Sequence, residues 1–204
     1  MLIDLTELVK KYNIYFKGIL HVGAHECEEI DLYEKYLPRN KILWIDALYD
    51  KVELCKSRYN DLLIECVVVS DKNEVVNWNR SNNGQSSSIF NLGLHKIHHP
   101  QIHYVVSGKR DAVPLSSFIG NYDISYNFIN LDIQGAELKA LKGMEEYLKN
   151  VDYIYTEVNC DYVYEECALI NEMDEYLLKF NLHRVETVWA GECKWGDAFY
   201  IKKV

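Results

Sequence analysis

Apolar positions recur along this chain with two different periods. Leu2, Leu5, Leu8, Val9 and Tyr12 fall at helical spacing, which predicts a short amphipathic helix at the start. Residues 17–24 read as a buried strand running into a glycine turn. Cys27, Ile30, Tyr33 and Leu37 then mark a helical face that Pro38 stops. A second strand covers residues 42–45 and ends on Asp46, and Leu48, Val52, Cys55 and Tyr59 form the next helical stripe. Residues 64–69 make a third strand, with Ser70 and Asp71 at its exit. Near-continuous apolar strands alternating with helices predict a parallel sheet covered on both faces.

Beyond residue 70 the pattern weakens. Residues 75–78 suit a short extra strand, residues 81–88 are polar, and residues 89–111 keep no clean period and contain Pro100. We therefore expect residues 81–111 to be an irregular loop or lid inserted in the fold. Order returns with a strand over 126–133, a helix carrying Leu138, Leu141 and Leu148, a strand over 153–158, and a helix striped by Ile170, Met173, Leu177 and Phe180. Residues 183–189 and 198–201 read as two strands whose short connection makes them antiparallel. The expected architecture is α/β: a single Rossmann-like domain over residues 1–204. It has a seven-stranded, mostly parallel sheet with a C-terminal antiparallel hairpin and helices on both faces.

Composition narrows the partners. A chain of 204 residues suits one domain. Lys+Arg 22 against Asp+Glu 31 gives a net charge of −9, which argues against a nucleic-acid partner, since phosphate binding leans on clustered Lys and Arg. No apolar run reaches the roughly 18 residues of a membrane span. Asp4 and Glu7 stand where a secretion signal has basic residues. The 6 cysteines show no C-x-x-C pair and no zinc-like spacing with histidine, so we expect reduced thiols in a cytoplasmic protein. Oligomeric state is left open, a homodimer included. Tyrosine is in excess at 16 residues.

Candidate chemistry gathers at the expected strand ends, where open α/β sheets bind ligands. These ends carry Gly23, Ala24 and His25; Asp46; Ser70 and Asp71; and Asp132. A dinucleotide site wants G-x-G-x-x-G, but the frame from Gly23 puts His25 and Glu28 at the later glycine positions. Bulk and negative charge there oppose a pyrophosphate. A nucleoside without phosphates fits better, with Asp46 accepting from ribose hydroxyls about twenty residues on. S-adenosylmethionine is such a ligand, and its cationic groups tolerate an acidic site.

The chain also resembles the FkbM family of S-adenosylmethionine-dependent O-methyltransferases. The resemblance lies in the run from Ile19 to His25, in Ser86-Ser87-Ser88, in Val113-Pro114-Leu115, and above all in Asn130-Leu131-Asp132-Ile133-Gln134-Gly135-Ala136-Glu137 continuing to Gly143. It continues to the closing Gly196-Asp197-Ala198-Phe199-Tyr200. The family's usual D-V-G-A-N start is replaced by His21 and His25 at its polar positions, and its Glu-Pro by Asp46-Ala47. The resemblance implies cofactor contacts from His21, Gly23, Ala24, His25, Asp46, Ala47, Ser70, Asp71, Ser87 and Asp132. It implies sugar or polyketide hydroxyls as acceptors, of which we prefer a sugar or glycan hydroxyl.

Methyl transfer to an aliphatic hydroxyl is an in-line displacement that needs positioning and a base. Asp132 is the leading base and Glu157 the next; Glu137, inside its helix, is expected to bond a loop. Acceptor contacts are expected from Ser88, His95, His99, Gln134, Glu157 and Trp195. Tyr155, Tyr162, Tyr164 and Trp189 are further rings on that side, for which core packing is the plain alternative. His95, His98, His99 and His103 crowd the middle segment, but Pro100 disfavours one helix presenting them as metal ligands. No metal site is expected. Two rival readings remain: a catalytically silent glycan-binding module on the same fold, and a nucleotide-dependent oxidoreductase.

Overall fold

Strands form where apolar, β-branched or aromatic residues run unbroken, and helices where the period lengthens. In the computed structural model, which describes residues 1–203, helix α1 (Leu5–Tyr12) starts at Asp4. The Asp4 carboxylate accepts from the N–H groups of Thr6 (2.7 Å) and Glu7 (3.3 Å). β1 (Ile19–Val22), α2 (Ile30–Tyr33), β2 (Ile42–Asp46), α3 (Tyr49–Arg58) and β3 (Leu63–Cys66) follow in the expected alternation. Then come β4 (Val68–Ser70), β5 (Glu74–Ser81), α4 (His95–His98) and β6 (Tyr104–Pro114). The chain closes with β7 (Phe128–Leu131), α5 (Glu137–Lys142), α6 (Glu145–Leu148), β8 (Tyr153–Asn159), α7 (Ile170–Leu178), β9 (Leu182–Trp189) and β10 (Trp195–Lys202).

Seven strands form one sheet in the order β3-β2-β1-β7-β8-β10-β9. Only β10 runs against its neighbours, because the last hairpin folds back and inserts its second strand between β8 and β9. Alternate residues of the central strands face two separate cores. Ile19, Ile42, Trp44 and Phe128 pack with Leu5, Leu8, Tyr33 and Val52 from α1 to α3. Leu20, Leu43, Ile45 and Ile129 pack with Leu141, Leu148, Met173 and Leu177 from α5 to α7. Each such side chain stabilises the fold by about 1.5–3 kcal/mol. Helices therefore cover both faces, and among the described residues none is long and apolar enough to cross a membrane.

Two expectations are corrected. The strand over 64–69 breaks at Val67, whose N–H bonds the Asp46 carbonyl at 3.0 Å before the chain leaves the main sheet. β4 then joins a three-stranded sheet, β4-β6-β5. Likewise residues 81–111 are not irregular throughout, since β6 begins at Tyr104 and pairs antiparallel with β5. Residues 105–109 are exposed, so ladder hydrogen bonds rather than alternate burial hold this arm. A strand without a buried face leaves no apolar period to detect. Turns and the single-turn α4 fill most of residues 82–103.

Candidate active site

The strand order reverses at β1, with β2 and β3 on one side and β7 and β8 on the other. A crevice is expected there. A cavity of about 510 Å³ opens at this point, between the strand ends of the main sheet and a wall supplied by β4, β5 and residues 83–102.

Gly23 forms its floor. At φ 95° it stands so close to β7 that a Cβ would lie 1.8 Å from the Asp132 carbonyl oxygen. Only a residue without a side chain permits that approach. Asp46, buried beside it, clasps two loops: Oδ2 accepts from the His25 N–H and Oδ1 from the Leu48 N–H, both at 2.7 Å. Burial pushes its carboxyl up, against the pull of those two bonds. Each oxygen retains a lone pair for a ligand. His25 places Nδ1 2.7 Å from Glu28, while its buried Nε2 has no hydrogen-bond partner among the described residues.

His21 lies deeper, stacked on Trp44 with ring centroids 4.8 Å apart. Its Nδ1 is 3.1 Å from the Tyr33 hydroxyl, which also accepts from the Asn130 amide at 2.8 Å. Burial pushes its imidazole down to about 3, so it stands neutral.

Carboxylates gather at the other end. Asp132 opens into the cavity although protein encloses it on most sides, and burial together with the nearby Asp197 pushes it up to about 6. Glu157 is pushed well above the carboxylate range by burial, then by Asp132, Glu137 and Asp197. The Gln134 amide donates to Asp132 Oδ1 at 2.5 Å and to Glu157 Oε2 at 3.0 Å. Glu137 accepts from the N–H groups of Ile133 (2.9 Å) and Gly135 (3.1 Å), the loop role expected of it. His95 and His99, which also line the cavity, have ring centroids 5.0 Å apart, with the Tyr164 ring 5.3 Å from His95. Burial, then His99 and His98, push His95 down to about 4. Among the described residues no group of three His, Cys, Asp or Glu side chains is arranged to hold a metal.

Residues 21–184 match the Methyltransferase FkbM domain, a span that includes Gly23, Asp46, Asp132 and Glu157. The chain belongs to the FkbM methyltransferase family. An oxidoreductase reading is thereby set aside. Among solved structures the chain is similar to the FkbM methyltransferase of Methylobacillus flagellatus, at 15% identity and TM-score 0.58, covering 91% of this chain and 43% of that one. This chain thus spans less than half of that relative. It is also similar to the magnesium protoporphyrin IX methyltransferase of Synechocystis with bound SAM (9%, TM-score 0.52, 97% and 76% covered). A third is an S-adenosylmethionine-dependent methyltransferase of Clostridium acetobutylicum (7%, TM-score 0.54, 98% and 89% covered). At such identities these likenesses speak for the fold alone. No curated protein matches the chain.

Within this FkbM-family site, His21, Gly23, His25, Asp46, Ala47, Ser87, His95, His99, Asp132, Gln134, Glu157 and Trp195 all line the one cavity. Four expected residues do not. Ala24 packs into the core shared with α1 to α3. Ser88 is fully buried and its hydroxyl donates to the Gln134 carbonyl at 2.7 Å, behind the wall. Ser70 and Asp71 leave with the broken third strand: Ser70 donates to Glu74 at 2.5 Å, and Asp71 pairs with Lys139 at 3.0 Å. Asp71→Asn should therefore leave cofactor affinity unchanged and lower stability by no more than about 1 kcal/mol, as for an exposed ion pair. Calorimetric titration and thermal melting would check both.

Asp197 and Asn130 of the wall escaped the sequence reading. Asp197 pairs in register with Glu157, and Tyr155 donates its hydroxyl to it. Its signal was an acid beside the apolar run Ala198-Phe199-Tyr200. Asn130 also lines the cavity, but a polar residue inside an apolar segment reads equally well as core, while Tyr164, expected on the acceptor side, lines the cavity too.

Proposed function

We propose that this chain binds S-adenosylmethionine in the cavity and methylates a hydroxyl of a sugar or glycan, in the cytoplasm. The observation that carries this reading is the charge of the wall. Glu28, Glu29, Asp46, Asp132, Glu157 and Asp197 line the cavity, and among the described residues no Lys or Arg does. Such a wall attracts a ligand with cationic groups and repels phosphates, so it favours an uncharged acceptor.

The residues present fit the cofactor. Gly23 lets a ligand lie against backbone, and Asp46 holds spare lone pairs for ribose hydroxyls. When bound, the cofactor supplies an electrophilic methyl group on a sulfonium and leaves as S-adenosylhomocysteine. Asp132 takes the proton that the acceptor oxygen loses as its bond to the methyl carbon forms. Glu157 accepts a hydrogen bond from a neighbouring acceptor hydroxyl. The rings of His95, His99 and Trp195, which also line the cavity, offer faces for sugar C–H groups. The six unpaired thiols support a reducing compartment.

Cofactor at 100 times its dissociation constant should stabilise the fold by about 2.7 kcal/mol, or roughly 5–10 °C in Tm for a chain of this size. An unchanged Tm with S-adenosylmethionine would remove the cofactor from the reading. Incubation with methyl-labelled cofactor and a panel of neutral, amino and phosphorylated sugars, followed by mass analysis, tests the acceptor. Labelling confined to phosphorylated sugars would overturn the charge argument, and sugar binding without labelling would favour a silent glycan-binding module.

A further inference from the structure

One primary amide joins the two carboxylates at the acid end of the cavity. Gln134 stands in the turn after β7 at φ 57°, in the left-handed region, and Gly135 follows at φ 97°. Two side chains fix this turn: Ser88 donates to the Gln134 carbonyl at 2.7 Å, and Glu137 accepts from the N–H groups of Ile133 and Gly135. The turn directs the side chain between the acids. Its Nε2 gives one hydrogen to Asp132 Oδ1 at 2.5 Å and the other to Glu157 Oε2 at 3.0 Å. Tyr164 donates its hydroxyl to Gln134 Oε1 at 2.5 Å, which sets the end of the amide that faces the acids. Tyr164 is itself buried and packed against His95. Both amide hydrogens are thus engaged, while among the described residues Asp132 Oδ2 and Glu157 Oε1 accept no protein hydrogen bond.

We propose that Gln134 is a positioning residue for methyl transfer, its amide holding Asp132 and Glu157 in fixed relation and leaving one oxygen of Asp132 free for the acceptor hydroxyl. The role in transfer rests on Asp132 as the base. An amide suits this place because it donates to both acids and has no proton to lose. The surroundings make such a donor necessary. Asp132 faces Glu157 from β8, Asp197 from β10, Glu137 from α5 and Glu29 before α2, with Tyr164 behind Gln134. The Gln134 hydrogen bond favours its charged form. Without the amide, nothing would hold the two acids in register, and the charged form of Asp132 would lose its donor.

The test uses the whole chain carrying Gln134→Met, which keeps length and removes donor and acceptor, and separately Tyr164→Phe, which frees the amide to rotate. The first readout needs no acceptor: carboxyl ¹³C resonances followed against pH, with Asp132 assigned through Asp132→Asn. We expect Asp132 in Gln134→Met to titrate about one pH unit higher, with a smaller shift of the same sign in Tyr164→Phe. With an acceptor in hand, kcat at pH 6 should fall about fivefold and recover by about pH 8, while KM stays nearly constant. Unshifted titration in folded variants, or a loss of kcat equal at every pH, would overturn the proposal. A shifted titration with an unmoved rate profile would keep the clamp and remove Asp132 from proton transfer. Should Gln134→Met fail to fold, the titration of Tyr164→Phe decides.

Discussion

Replacing Asp132 by Asn should lower kcat by roughly 10²- to 10⁴-fold, the range over which a positioned base contributes. Asn keeps the size of the side chain and a carbonyl oxygen able to accept from Gln134, so the cavity should keep its shape. Cofactor binding, read as a thermal shift or by calorimetry, should survive. The pH dependence has a definite sign. Burial and Asp197 push Asp132 up to about 6, so the carboxylate form needed to accept a proton is lost as pH falls through that value. In the wild type kcat/KM should drop about tenfold per pH unit below about pH 6. In Asp132→Asn that limb should vanish. Wild-type turnover in the variant would move the base elsewhere, with Glu157 next in line.

Gly23→Ala should abolish cofactor binding and destabilise the fold. The backbone at φ 95° disfavours any Cβ, and this Cβ would stand 1.8 Å from the Asp132 carbonyl oxygen. Relief requires β1 and β7 to separate at the point where they form the cavity floor. Positive-φ strain alone is of order 1–3 kcal/mol, and the clash adds to it, so Tm should fall by roughly 5–10 °C. The cofactor-induced thermal shift should disappear with it. Gly108→Ala is the control: it lies on the exposed arm with nothing within 4 Å of a Cβ, and should leave both readings in place. A Gly23→Ala protein that still binds the cofactor would show that the floor tolerates a side chain.

Much of the main sheet was legible because its strands are buried on both faces. Ile42 to Asp46 and Phe128 to Leu131 are buried throughout, and a run of that kind stands out in any sequence. Gly23, Asp46 and Asp132 were legible for a related reason, since strand ends in such a sheet face the ligand crevice. Ser70 and Asp71 followed the same rule and led away from the site. Nothing in Val67-Val68-Val69 marks the break that carries them into a second sheet, because each half is equally apolar. The β6 strand was invisible for the opposite reason, as its exposed residues have no buried face to impose a period.

The sequence by itself determined the alternation of strands and helices in the main sheet, the family and the chemical character of the strand ends, since these follow from periodicity and local motifs. Only tertiary structure decided which polar groups meet. Gln134 reaches Asp132 over two residues but Glu157 over 23 and Tyr164 over 30, and Asp197 reaches Glu157 only through the register of β8 and β10. The protein and the acids gathered around them raise the carboxyls of Asp132 and Glu157 together. Desolvation and charge repulsion depend on distance in space, and spacing along a chain does not record that distance.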